Sequence, residues 1–170
     1  TDNVANASSE RVEYIYEQIK KKSEQLKMPV WLGEWGAFYN NSETVIPIAK
    51  NCVGLIEKHL FGNAYWSYVK GTENLEYFKQ VLVRSYPVYT NGKLISYNNN
   101  FESSSFVMEW EESKTNKSST IIYVPHLSKL KKDIFNAFGN VKIEKSKTTD
   151  AGWIIVPATG KTVKRNMTLS

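Results

Sequence analysis

The sequence predicts an α/β region over residues 1–86 followed by an all-β region over residues 87–170. Two observations carry this. Between Pro29 and Val69 the apolar segments run strand, helix, strand, the pattern of a βαβ unit with parallel strands. Beyond Pro87 the helical period gives way to short runs of period two, separated by turn residues.

The elements follow in order. Ser9 to about Lys27 predicts a helix with Val12, Tyr16, Ile19 and Leu26 on its apolar face and Ile15 beside it. Ser8 or Ser9 suits the N-cap, Glu10 suits the positive end of the helix dipole, and Thr1–Ala7 reads as a frayed or cut end. Val30, Trp31 and Leu32 predict a buried strand that starts after Pro29. Val45, Ile48, Ala49, Cys52, Val53, Ile56 and Leu60 recur at helical spacing, with Pro47 in the first turn and Gly62 as the stop. Asn63–Val69 predicts a second strand, and Asn74–Val83 a last helix with Leu75, Phe78, Val81 and Leu82 inward.

In the all-β region, Tyr89–Tyr97 is broken by Asn91-Gly92, a hairpin signal, and Asn98–Asn100 reads as a loop. Phe106, Met108 and Trp110 alternate onto one face of a strand. Glu109, Glu111 and Glu112 are expected on the wet face of an edge strand. Thr120–Val124, Val141–Lys145, Trp153–Pro157 and Thr162–Leu169 complete the set, while Ile134–Phe138 fits either helix or strand. Strands at this spacing predict a β-sandwich with Trp110 and Trp153 between its sheets.

The candidate site is Glu34. It ends a short apolar run, bracketed by Gly33 and Gly36 and followed by Trp35. A carboxylate at the end of a buried strand is costly unless hydrogen-bonded or useful. Parallel strands deliver their C-terminal ends to one face, so Glu34 and the Trp66–Tyr68 segment look into one pocket. The bland alternative is a glutamate satisfied by an arginine or a backbone nest.

Pro29-Val30-Trp31-Leu32-Gly33-Glu34-Trp35-Gly36 followed by Tyr65-Trp66-Ser67-Tyr68 resembles strands seven and eight of a glycoside hydrolase family 5 barrel. The second half, from Leu82-Val83-Arg84-Ser85-Tyr86-Pro87 through Phe106–Trp110 to Thr120–Pro125, resembles the barrel-to-sandwich junction of endoglycoceramidases, which cut between oligosaccharide and ceramide. The resemblance implies the C-terminal part of a (β/α)8 TIM barrel followed by a β-sandwich. It implies that Glu34 is the catalytic nucleophile and that Trp66 lines the sugar subsite. Trp35 and Tyr68 are further candidates for substrate binding. The family's acid/base, a glutamate after an asparagine, has no match upstream of Glu34, and a whole barrel needs about 250 residues. The upstream half of the same barrel is therefore an expected partner, and this chain alone is expected to be inactive.

Composition bounds the rest. The net charge is +5 with a pI near 9.1. That suits an acidic glycan or a membrane surface, although scattered surface lysines explain it as well. Basic and aromatic residues do not interleave as in a nucleic-acid reader. The single Cys52 forbids an intrachain disulfide, and His59 and His126 are too separate for a metal site. No cofactor or metal is expected. No run of eighteen apolar residues occurs. Sequons at Asn6, Asn40, Asn116 and Asn166 lean towards a secreted or lysosomal glycoprotein. Two competing readings are a carbohydrate- or membrane-binding module with a structural Glu34, and a fragment without independent activity. An upstream strand ending in Asn-Glu would favour the enzyme.

Overall fold

Residues 9–36, 38, 44–131 and 138–170 are described by the computed structural model. The expected N-cap at Ser8, the end at Thr1–Ala7, the sequons at Asn6 and Asn40 and most of Ile134–Phe138 lie outside them. The chain forms two units, Thr1–Val83 and Arg84–Ser170.

The first unit holds α1 (Ser9–Leu26), β1 (Trp31–Gly36), α2 (Val45–His59) and β2 (Gly62–Trp66). β1 and β2 pair in parallel, Trp31 opposite Gly62 and Gly36 opposite Trp66. The helix between them buries Val45, Ala49, Cys52, Val53 and Ile56 of the expected stripe and adds Leu55, while Ile48 and Leu60 are half-buried. Burial pushes the Cys52 thiol up to about 11, which makes it a quiet core group. α2 stops at Leu60, in the left-handed region at φ 55°, and not at Gly62. Gly62 serves a different purpose: a methyl there would lie 2.6 Å from Cε3 of Trp31, whose indole covers it. Lys58 of α2 donates to Glu13 of α1 at 2.9 Å.

Three expectations for this unit are corrected. Trp31 is 68% exposed and Leu26 55% exposed. A parallel strand is buried on both faces only when neighbours flank and cover it, and among the described residues β1 has β2 alone. The last helix is replaced by a 3-10 turn at Thr72–Asn74 and a π-helical turn at Phe78–Leu82. Its apolar spacing is genuine, since Val81 is fully buried, but Tyr77 is buried as well. The Tyr77 hydroxyl donates to the carbonyl of Phe38 at 2.6 Å and accepts from Tyr65 at 2.9 Å.

The second unit runs β3 (Tyr86–Tyr89), β4 (Gly92–Asn100), β5 (Ser105–Glu112), β6 (Thr120–Val124), β7 (Lys142–Lys145), β8 (Gly152–Val156) and β9 (Val163–Leu169). Two antiparallel sheets result, β3-β6-β8-β7 and β4-β5-β9. Phe106, Met108 and Trp110 of one sheet and Ile122, Val124, Ile154 and Val156 of the other share one buried cluster.

Here the structure departs from four expectations. Asn91-Gly92 is no hairpin, because β3 and β4 lie in different sheets. It is the crossing between them. Asn91 is fully buried, its side chain accepting from the Thr120 hydroxyl at 3.0 Å, and a methyl on Gly92 would overlap the backbone of Glu111. Asn98–Asn100 is not a loop but the end of β4, and Asn100 Oδ1 accepts from the N–H groups of Glu102 and Ser103 to turn the β4–β5 hairpin. Trp110 is buried, but Trp153 is 37% exposed, because Ile154 and Val156 take the inward positions of β8. β5 is the central strand of its sheet, not an edge, and Glu112 falls on the same inward face as Trp110.

That buried carboxylate is fully engaged. It accepts from the N–H and hydroxyl of Thr159, from the N–H of Gly160 and from Arg165 at 3.0 Å. Burial alone would push the Glu112 carboxyl up, but the Thr159 hydrogen bonds and the Arg165 charge hold it below the usual range. The Arg165 guanidinium also lies 5.5 Å from the Trp110 ring and 5.0 Å from Phe138. No helix among the described residues is long and apolar enough to cross a membrane.

Candidate active site

Between the pairs Leu32–Asn63 and Trp35–Tyr65, β1 contributes two residues, Gly33 and Glu34, and β2 only Ala64. Two residues facing one make a β-bulge, which breaks the alternation and re-aims the side chains beyond it. The burial of the two tryptophans records this. Trp31 and Trp35 are four residues apart and would share a face in a regular strand, yet Trp35 is only 9% exposed. Glu34 sits in the bulge, exposed, near the C-terminal end of β1.

Trp66 ends β2 at the same end of the sheet, paired with Gly36 and 51% exposed. The peptide bond between Trp66 and Ser67 is cis. Gly36 has φ 108°, and a methyl there would overlap the Tyr65 ring. Only glycine meets both conditions. So the strand pairing brings Glu34 and the Trp66 indole to one open end of the β1–β2 sheet.

Trp35 and Tyr68 are placed differently. Trp35 lies beneath the site, with its indole N–H donating to Asn63 Oδ1 at 2.9 Å and its ring edge-on to Tyr65 at 5.6 Å. The Tyr68 hydroxyl donates to Glu73 at 2.8 Å, and Glu73 also accepts from the N–H of Gly71 at 2.8 Å. That hydrogen bond pushes the Tyr68 phenol up. Hydrogen bonds from its own backbone N–H and from Tyr68 hold the Glu73 carboxyl down. Tyr68 is thereby committed to its own loop.

Sequence reasoning passed over Asn63, Tyr65 and Tyr77. Asn63 gave a signal, a polar residue where the strand should be apolar. Tyr65 and Tyr77 gave none, since their pairing across the fold is not local. Among the described residues, no group of three or more His, Cys, Asp or Glu stands together to hold a metal ion. An exposed carboxylate at a strand end can act as a nucleophile or a base, and an exposed indole offers an apolar surface for stacking.

Residues 84–163 match the glycoside hydrolase family 5 C-terminal domain, so the second unit carries that domain. Among solved structures, the chain is similar to endo-glycoceramidase II from Rhodococcus sp. as its lactosyl-enzyme intermediate. The TM-score is 0.62 at 17% identity over 91% of this chain and 36% of that one. The cellobiose-like imidazole complex of the same enzyme gives 0.63 at 16% identity, over 98% and 40%. Sterylglucosidase 1 from Cryptococcus neoformans gives 0.59 at 13% identity, over 96% and 33%. These are likenesses of fold, and the chain spans less than half the length of each of these structures. No protein among the curated sequences matches it.

Proposed function

We propose that this chain supplies the nucleophile-bearing end of a retaining endo-β-glycosidase that cleaves between oligosaccharide and ceramide in glycosphingolipids. In this reading β1 and β2 are the last two strands of a (β/α)8 barrel, and β3–β9 form a β-sandwich domain. The observation that carries it is the bulge that leaves Glu34 exposed at the strand end shared with Trp66.

Glu34 attacks the anomeric carbon as a carboxylate, the bond to the lipid oxygen breaks, and a glycosyl ester forms. A second carboxyl group, from the upstream half of the barrel and protonated at this stage, gives its proton to the leaving oxygen. It then takes one from the water that hydrolyses the ester. The lactosyl-enzyme form of the Rhodococcus protein supports a covalent route. Trp66 offers a flat face to the sugar. Trp35 acts from beneath, fixing the strand through Asn63 and Tyr65. A secreted or lysosomal setting fits the sequons at Asn116 and Asn166.

The test is Glu34→Ala in the complete enzyme. Turnover of lactosylceramide should fall roughly a thousandfold or more, about 4 kcal/mol of transition-state stabilisation. Azide should restore part of it by filling the vacated space and forming a glycosyl azide. Near-normal turnover would refute the assignment and favour a binding module. The purified 170-residue chain should show no turnover above buffer.

A further inference from the structure

The four-stranded sheet of the second unit is apolar on both faces. Ile122, Val124, Ile154 and Val156 fill its inner side. Strand register puts Tyr86, Tyr123, Trp153 and Glu144 in one row on the other side. Tyr89, Ile121, Ile155 and Lys142 form the next. The rings touch along the row, with centroids 4.9 Å apart for Tyr86 and Tyr123 and 6.4 Å for Tyr123 and Trp153. Tyr86 and Tyr89 are each 42% exposed. An antiparallel sheet with one face in water alternates apolar and polar residues. β6 and β8, reading Thr-Ile-Ile-Tyr-Val and Gly-Trp-Ile-Ile-Val, do not.

The chemistry of the rim says what covers this face. Lys142 of β7 lies on this face at one edge, with Lys147 in the turn after β7, while Lys145 falls on the opposite side by strand alternation. At the other edge, Asn116 donates to the Tyr89 hydroxyl at 2.7 Å and holds the loop that carries Lys114 and Lys117. The acids nearby are Glu144, which pairs with Lys142, and Asp150, which accepts from Ser128. The imbalance extends to the whole unit: residues 84–170 hold thirteen Lys and Arg against seven Asp and Glu, whereas residues 1–83 hold nine against ten. Tyrosine and tryptophan have an apolar body and a polar tip, and they settle where hydrocarbon meets water. Lysines around them are drawn to anionic headgroups.

We propose that the outer face of this sheet docks on an anionic lipid surface, with Tyr86, Tyr123 and Trp153 at headgroup level and the flanking lysines on the lipid charges. This stands on the face itself and does not depend on Glu34 being a nucleophile.

The 170-residue chain is mixed with vesicles of phosphatidylcholine alone, or of equal parts phosphatidylcholine and phosphatidylserine, and sedimented. Binding to the phosphatidylserine vesicles is expected, at least tenfold weaker to phosphatidylcholine alone, and weakened by salt. In the double variant Tyr86→Ala, Trp153→Ala, binding should fall roughly tenfold or more. Lys142→Glu with Lys147→Glu should lower it and flatten the salt dependence. A far-ultraviolet circular dichroism spectrum and a cooperative urea transition like those of the parent show that each variant has folded. Absence of binding to either vesicle overturns the proposal, as does undiminished binding by the ring variant. So does a parent dimer that the ring variant dissolves without any vesicle binding, which would give the face to a second copy.

Discussion

In the second unit, Phe106, Met108 and Trp110 close against Ile122, Val124, Ile154 and Val156 from the facing sheet, and all are buried. In the first unit, Leu26, Met28 and Trp31 lie open, and Ile19, Leu26, Met28 and Val30 line an apolar groove beside the start of β1. The difference follows from strand direction. Antiparallel strands joined by short turns make two sheets that cover each other. A parallel pair needs helices and further strands to bury its faces and edges, and two strands with two helices provide only part of that cover. One unit therefore closes its own core, and the other leaves apolar side chains in the open.

The sharpest test of this contrast makes one substitution in two places. Trp110→Ala should destabilise the second unit by about 3–5 kcal/mol, since a buried ring is lost from a closed core. Urea unfolding of residues 84–170, followed by circular dichroism, measures it, and a cooperative transition with a strand spectrum is expected from that segment. Next in size is Arg165→Ala, at about 3 kcal/mol, because Glu112 keeps its burial and loses its charge partner. Gly36→Ala should then cost the first unit about 1–3 kcal/mol, through the left-handed backbone and the Tyr65 ring. Thermal melts of the 170-residue chain would register it.

A smaller effect comes from acid. The folded Glu112 carboxyl is held below its unfolded value, so its stabilisation is full above that value, about 4.3. It is lost as pH falls through the lower folded value. The stability gap between the parent and Glu112→Gln should narrow as the pH is lowered from 5 to 3, and a constant gap would disprove the linkage. The smallest effect belongs to Trp31→Ala, under about 1 kcal/mol, because the ring is already in water. A loss matching that of Trp110→Ala would collapse the comparison.

The sequence shows the strand–helix–strand order and the inward face of β5 because both are local periods. The π-helical turn at Phe78–Leu82 is hidden because its apolar spacing also fits an ordinary helix, and what distinguishes it is the reach of Tyr77 to Phe38. Asn91-Gly92 satisfies a local turn rule, but β3 finds its partner far along the chain at Thr120–Val124, while β4 turns straight into Ser105–Glu112. Trp153 is misjudged because size argues for burial and only the phase of β8 decides it. Glu112 resembles any carboxylate at the end of a strand until Arg165, fifty-three residues later, folds against it. At the candidate site, Glu34 and Trp66 are legible as residues next to glycines and strand ends. The committed hydroxyl of Tyr68 is not, since Glu73 competes for it only once the loop has folded.

The additional residue at Gly33–Glu34 makes β1 a matter of parity. Exchanging a side chain there alters one contact, whereas deleting one of the two residues leaves Leu32 opposite Asn63 and Trp35 opposite Tyr65 with a single residue between them, and the bulge is gone. Trp35 would keep its place against Asn63 and Tyr65, and the carboxylate would fall on an ordinary strand position opposite Ala64. Variation in this strand is therefore graded when it is by substitution, and when it is by length it removes the re-aimed position while sparing the tryptophan beneath. A lineage could retune the surroundings of the carboxylate freely while holding the number of residues in the bulge fixed.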